Sequence, residues 1–146
     1  MTQSVFTNVF TYRQRDNHGP LENFLTEIFS FCLLSDLNFR QDFFRKILNI
    51  TLDETVLNIS TQKVYPGYGI PDIEVTYNTT AILFECKVES TERENQLKNY
   101  ASILIEQKTK YSNRHIVFLT KYFEHKVIPE IRVQIHLIRW FQVYEL

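Results

Sequence analysis

Glycine is scarce in this chain: three residues of 146, two of them inside the one turn YPGYG at 65–69. No glycine-rich loop of the phosphate-cradling type exists, which argues against a nucleotide-driven motor in this segment. Cysteine is equally sparse. Cys32 and Cys86 are too few for a disulfide framework, and each sits in an apolar run, where reduced core residues are found. His18, His115, His125 and His136 are scattered, with no H-x-x-x-H and no C-x-x-C, so there is no zinc signature. No apolar run approaches the roughly 20 residues of a bilayer span. The start, MTQSVFTNVFTYRQRDN, lacks the basic and apolar regions of a signal peptide. These absences set the expectation of a cytoplasmic protein with no membrane partner. Charge of one sign is lacking too: the formal net charge is −1, so any nucleic-acid contact must come from a local patch.

What the chain does have is apolar mass, 44% hydrophobic and 14% aromatic residues, enough for one domain over residues 1–146 with a sizeable core. PLENFLTEIFSFCLLS at 20–35 reads as a helix, with Leu21, Phe24, Leu25, Ile28, Phe31 and Cys32 at helical spacing. A short second helix is expected at 39–49 and a strand at 55–64, followed by the Gly/Pro turn at 65–71. Two strands, 71–77 and 80–88, meet at Asn78-Thr79. Thr91 and Glu94 form a capping-box pattern opening a helix over 92–110, with a stripe of Leu97, Tyr100, Ala101, Leu104 and Ile105. Strands are expected at 115–120 and 135–140, with helix between them in 121–133. The order predicts an α/β domain, a central mixed sheet flanked by helices. RWFQVYEL ends inside an amphipathic, aromatic-rich segment, which suggests the N-terminal domain of a longer protein.

The hairpin carries the chemistry. A two-residue loop at Asn78-Thr79 sets Ile73 opposite Phe84 and Val75 opposite Ile82, one apolar face that continues to Cys86 and Val88. The same register sets Asp72 opposite Glu85, with Lys87 two residues beyond on that second face. Opposed carboxylates repel, and a divalent cation between them explains the pair. Oxygen donors suit Mg²⁺. Lys87 would hold or deprotonate a water, or stabilise charge building on a phosphate. The competing reading is a surface hairpin whose Asp, Glu and Lys face water as ordinary ion pairs.

Pro71-Asp72, a 12-residue gap and then Glu85-Cys86-Lys87 resembles the PD-(D/E)xK nuclease superfamily, and the element order resembles its αβββαβ restriction-endonuclease-like core. The likeness runs over residues 20–120. Gln96 and Tyr100 resemble the Q-xxx-Y that some branches carry on the following helix, and ENFLT resembles the E-N-xx-(S/T) of related nucleases. The resemblance implies Asp72, Glu85 and the Cys86 backbone carbonyl as ligands of Mg²⁺ or Mn²⁺, and Lys87 as the catalytic lysine. It implies a helix glutamate completing the site, Glu22, with Glu27 as its rival, and a further catalytic role for Gln96. The charge pattern separately makes Arg93 and Lys98, with Tyr100 beside them, the candidates for nucleic-acid contact, against the reading that such charges simply solvate a helix. The function the resemblance implies is a Mg-dependent endonuclease acting on DNA, RNA not excluded, in the manner of a defence or restriction effector. A homodimer and a C-terminal sensor domain are the further partners it allows. The alternative is a catalytically silent nuclease-fold module that binds nucleic acid or protein.

Overall fold

In a computed structural model that describes residues 20–88, 95–106, 110–125 and 132–146, the elements follow in the order expected. They are α1 (Pro20–Ser35), α2 (Leu37–Asp42, running into a π turn at Phe43–Ile47), β1 (Asn58–Thr61), β2 (Ile73–Tyr77) and β3 (Thr80–Cys86). Then come α3 (Gln96–Glu106), β4 (Asn113–Thr120), β5 (Gln134–Arg139) and the short α4 (Trp140–Tyr144). The strands form one mixed sheet in the order β1-β2-β3-β4-β5; β1, β2 and β3 are antiparallel neighbours, whereas β4 runs parallel to both β3 and β5. This is the α/β, αβββαβ arrangement expected from the sequence, a mixed sheet flanked by helices. No described helix is long and apolar enough to cross a membrane.

The hairpin register is the one the sequence predicts. Ile73 pairs with Phe84, Val75 with Ile82 and Tyr77 with Thr80, leaving Asn78-Thr79 as the loop. Asn78 takes φ 46, a left-handed conformation that asparagine tolerates, and its amide donates to Asp53. Strand β3, TAILFEC, is buried at every position because helices cover both sheet faces. On one face Ile73, Val75, Ile82, Phe84 and Cys86 meet Phe29 and Leu33 of α1 and the π-turn residues Phe43 and Phe44. On the other, Ala81, Leu83, Ile116 and Phe118 meet Leu97, Tyr100, Ala101 and Leu104 of α3. The second face of the hairpin therefore packs on a helix rather than facing water.

Two helices differ from their sequence reading. In α1 the buried residues are Thr26, Glu27, Phe29, Ser30 and Leu33, while Leu21, Phe24, Ile28 and Phe31 stay exposed. Expected helix 39–49 begins earlier, where the Asp36 carboxylate accepts from the Phe39 N–H at 3.0 Å, and then widens into the π turn. Consecutive Phe43 and Phe44 are both fully buried there. Arg40 ties the two helices together, donating to the Leu33 carbonyl and pairing with Glu54 at 2.6 Å. Residues 121–125 carry no helix; the rest of the 121–133 helix reading and the Thr91–Glu94 box fall largely outside the described residues.

Phe84 lies 6.1–6.3 Å from the rings of Phe29, Phe43 and Phe44 and is fully buried. Phe84→Ala is expected to lower unfolding free energy by about 3–5 kcal/mol in urea denaturation.

Candidate active site

The end of β3 is where both helical layers reach the same strand. Asp72, just ahead of β2, donates its N–H to the Phe84 carbonyl, which continues the hairpin pairing and keeps it across from Glu85. Its carboxylate accepts from the Cys86 N–H at 2.7 Å and from the Gln62 side-chain amide at 3.1 Å. Gln62 is delivered by the strand pairing of β1 with β2 and is itself held in a left-handed conformation, φ 53. Glu85 points toward α3, where the Tyr100 hydroxyl donates to it at 2.5 Å and Gln96 donates to that hydroxyl at 3.2 Å. The Tyr100 oxygen also lies 3.1 Å from the Ile70 carbonyl, fixing the YPGYGIP turn to the site.

Lys87 bridges the two layers. Its ammonium sits 2.6 Å from Glu85 and 3.5 Å from Glu22 of α1, and Glu22 also accepts from the Val88 N–H at 3.0 Å. Glu85 and Lys87 are 2% and 7% exposed, which rules out the surface-hairpin reading of this charge set. The Trp140 indole donates to the Lys87 carbonyl at 3.0 Å and packs α4 against the same corner.

The electrostatics follow from burial. Asp72 is pushed up to about 7, first by burial and next by the Glu85 charge, against the Cys86 and Gln62 hydrogen bonds that pull it down. Burial likewise raises Glu85, opposed by Lys87. Burial pulls the Lys87 ammonium down, but Glu85, Glu22 and Asp72 more than offset this, so its pKa is raised and the group is a cation. Two carboxylates thus pair with one ammonium and a third, Asp72, lies close enough to feel its charge, a formal excess of carboxyl groups in this corner.

The structure therefore brings Asp72, Glu85, Lys87, Glu22, Gln96 and Tyr100 together. Glu27, the rival helix glutamate, is buried on another side of α1, five residues and roughly 140° around the helix from Glu22. Tyr100 is 1% exposed, so its expected contact with nucleic acid is corrected: it holds Glu85 in place from inside the core. Lys98 is exposed, two residues and roughly 200° around α3 from Gln96, away from the site. Arg93 lies outside the described residues. The sequence reading missed Gln62 and Trp140, whose contacts depend on chain segments 10 and 53 residues from their partners.

Among the described residues no three His, Cys, Asp or Glu side chains gather closely enough to hold an ion. The reason is visible in the site: Lys87 is bonded to Glu85, and both Asp72 oxygens accept hydrogen bonds. The donor chemistry still suits a hard divalent cation. Asp72 and Glu85 offer carboxylate oxygens on neighbouring segments of the hairpin, and burial first and the Glu85 charge second raise the Asp72 value, both of which an ion there would offset.

No protein-family model matches the chain, and no curated protein matches it in sequence at a significant level. Among solved structures it is similar to the small subunit (R.BspD6I2) of the heterodimeric restriction endonuclease R.BspD6I, at 20% identity and a TM-score of 0.35. The match covers 82% of this chain and 59% of that one, so the chain spans about three-fifths of that subunit's length.

Asp72 gives this corner a pH signature. Its folded value stands above the ordinary 3.8, so the stability it contributes is fully present below 3.8 and is lost as pH rises through about 7. In EDTA, Asp72→Asn is expected to be more stable than the wild type at about pH 8, with the gap closing toward about pH 4. Urea denaturation across that range checks it.

Proposed function

We propose that this chain is a metal-dependent nuclease of the PD-(D/E)xK type that hydrolyses phosphodiester bonds, of DNA in the first instance. The observation that carries the reading is the excess of carboxylate at the end of β3, where Glu85 and Glu22 pair with the one Lys87 ammonium and Asp72 stands across from Glu85. A purely structural ion pair needs one carboxylate for Lys87; this corner has three.

Asp72, Glu85 and the Cys86 carbonyl would hold Mg²⁺ or Mn²⁺. The bound ion supplies Lewis acidity to the phosphate and a more acidic water. The chain's own groups do the rest. Tyr100, backed by Gln96, donates to one Glu85 oxygen and so fixes that carboxylate's orientation. Gln62 and the Cys86 N–H do the same for Asp72. Glu22 holds Lys87 from the opposite layer and keeps the ammonium beside Glu85. As a cation, Lys87 serves by donating to a phosphate oxygen or to the attacking water and offsetting developing negative charge. Burial of the whole set strengthens each of these interactions.

The test is cleavage of plasmid, linear duplex, single-stranded DNA and RNA with Mg²⁺, Mn²⁺ or EDTA. Cleavage is expected with either metal and absent in EDTA, and Lys87→Ala is expected to lower the rate at least ~100-fold. Nucleic-acid binding without cleavage would assign the silent module instead.

A further inference from the structure

Two of the four histidines, 21 residues apart in the chain, meet in the sheet. His115 of β4 lies beside Ile82 of β3, and His136 of β5 lies beside Val117 of β4. Both rings therefore stand on the sheet face that α1 covers, at the end where β4 and β5 begin. That end is remote from the carboxylates of β3: Leu119, whose carbonyl accepts the Lys87 N–H, is four residues further along β4, about 13 Å away. His115 Nδ1 and His136 Nε2 are 3.1 Å apart, with ring centroids 5.4 Å apart and planes inclined by 32°. The facing nitrogens thus lie nearly on the line between the rings, as in an N–H···N bond. His115 is 7% exposed, whereas His136 is half-buried on the last strand of the sheet, and Gln134, opposite His115, is exposed. Burial holds both rings below the usual histidine range, so both are neutral at about pH 7.

We propose that His115 and His136 form a two-imidazole binding site for a divalent late transition-metal ion such as Zn²⁺ or Ni²⁺. Neutral imidazole is a side-chain ligand that these ions favour. Zinc–nitrogen bonds are about 2.0–2.1 Å long, so two nitrogens on one ion stand roughly 2.9 Å apart at a right angle and roughly 3.3–3.4 Å apart at the tetrahedral angle. The gap of 3.1 Å falls between these before anything moves. To aim at one ion, each ring turns by roughly 40° about χ2, a broad torsion in histidine. The facing hydrogen leaves as well: the donor ring changes tautomer, carrying its proton on the outer nitrogen, so a neutral pair takes the ion with no net proton release. Among the described residues no Cys, Asp, Glu or third His joins the pair, which leaves the remaining positions to water on the exposed Gln134 side. The bound ion ties edge strand β5 to β4. The carboxylate oxygens at the end of β3 suit hard ions instead, so ligand type separates the two sites. The proposal is independent of the nuclease reading, since neither histidine belongs to that corner.

The test is isothermal titration of the full, untagged chain with nickel or zinc chloride. It is repeated on an Asp72→Asn chain, so that an ion at the β3 carboxylates is not counted. One equivalent is expected to bind at micromolar concentration in both. His136→Gln, at the half-buried edge position, and His115→Asn are each expected to weaken binding about 10-fold or more, because one imidazole alone cannot chelate. Proton NMR needs no variant: Zn²⁺ is expected to shift the ring C–H signals of His115 and His136 and to leave those of His18 and His125 in place. Zn²⁺ is also expected to raise the melting temperature of the wild type and not that of His136→Gln. Undiminished affinity in both histidine variants, or Zn²⁺ shifts confined to His18 or His125, overturns the proposal. So does a lack of binding up to about 1 mM metal, which would leave the pair a plain hydrogen bond between strands.

Discussion

The structure depends on one constraint: a lysine and a glutamate two residues apart at the end of a strand that both helical layers cover. Glu85 and Lys87 are almost wholly removed from water, and a buried charge persists only when its partners are fixed around it. Each surrounding element meets part of that demand. Helix α1 sends Glu22 to Lys87, α3 sends Tyr100 to Glu85, and the β1–β2 pairing brings Gln62 to Asp72. Trp140 closes the corner by binding the Lys87 carbonyl. Removing either ion of the 2.6 Å pair would strand the other, so the pair and its surroundings stand or fall together.

That corner also links fold to chemistry. The β3–β4 pairing is parallel, so β3 ends where the chain leaves the sheet toward α3, and the backbone of Lys87 is still tied to Leu119 of β4. The side chains there are held by a rigid strand end instead of a loose loop. An excess of carboxylate in such a place is costly without a counter-ion, and the raised Asp72 value is that cost expressed as proton affinity. A proton and a divalent cation compete for the same oxygens. The proposed ion therefore relieves a strain already present in the fold.

Much of this was legible in the sequence, for identifiable reasons. Strict alternation around a two-residue loop fixed the hairpin register, so the opposition of Asp72 and Glu85 followed from local arithmetic alone. The ENFLT resemblance singled out Glu22, which the fold sets 3.5 Å from Lys87, and helical geometry separated it from Glu27. The role of Tyr100 was not, because a tyrosine in an apolar stripe reads equally as core packing or as a ligand contact; only the fold shows its hydroxyl on Glu85. Gln62 and Trp140 had no local signal, since what brings them in is strand pairing and long-range packing. Helix α1 shows the limit of periodicity most clearly. Its apolar residues go nearly all the way around, and the pattern could not tell which side met the sheet.

Anomalous diffraction from crystals soaked in Mn²⁺ tests the central claim most directly. The account predicts one strong peak bonded to the Asp72 and Glu85 carboxylates and the Cys86 carbonyl, with the Lys87 ammonium moved off the Glu85 oxygen that it holds in the free protein. A fully occupied Mn²⁺ elsewhere, with the Glu85–Lys87 pair intact and no ion at Asp72, would contradict it.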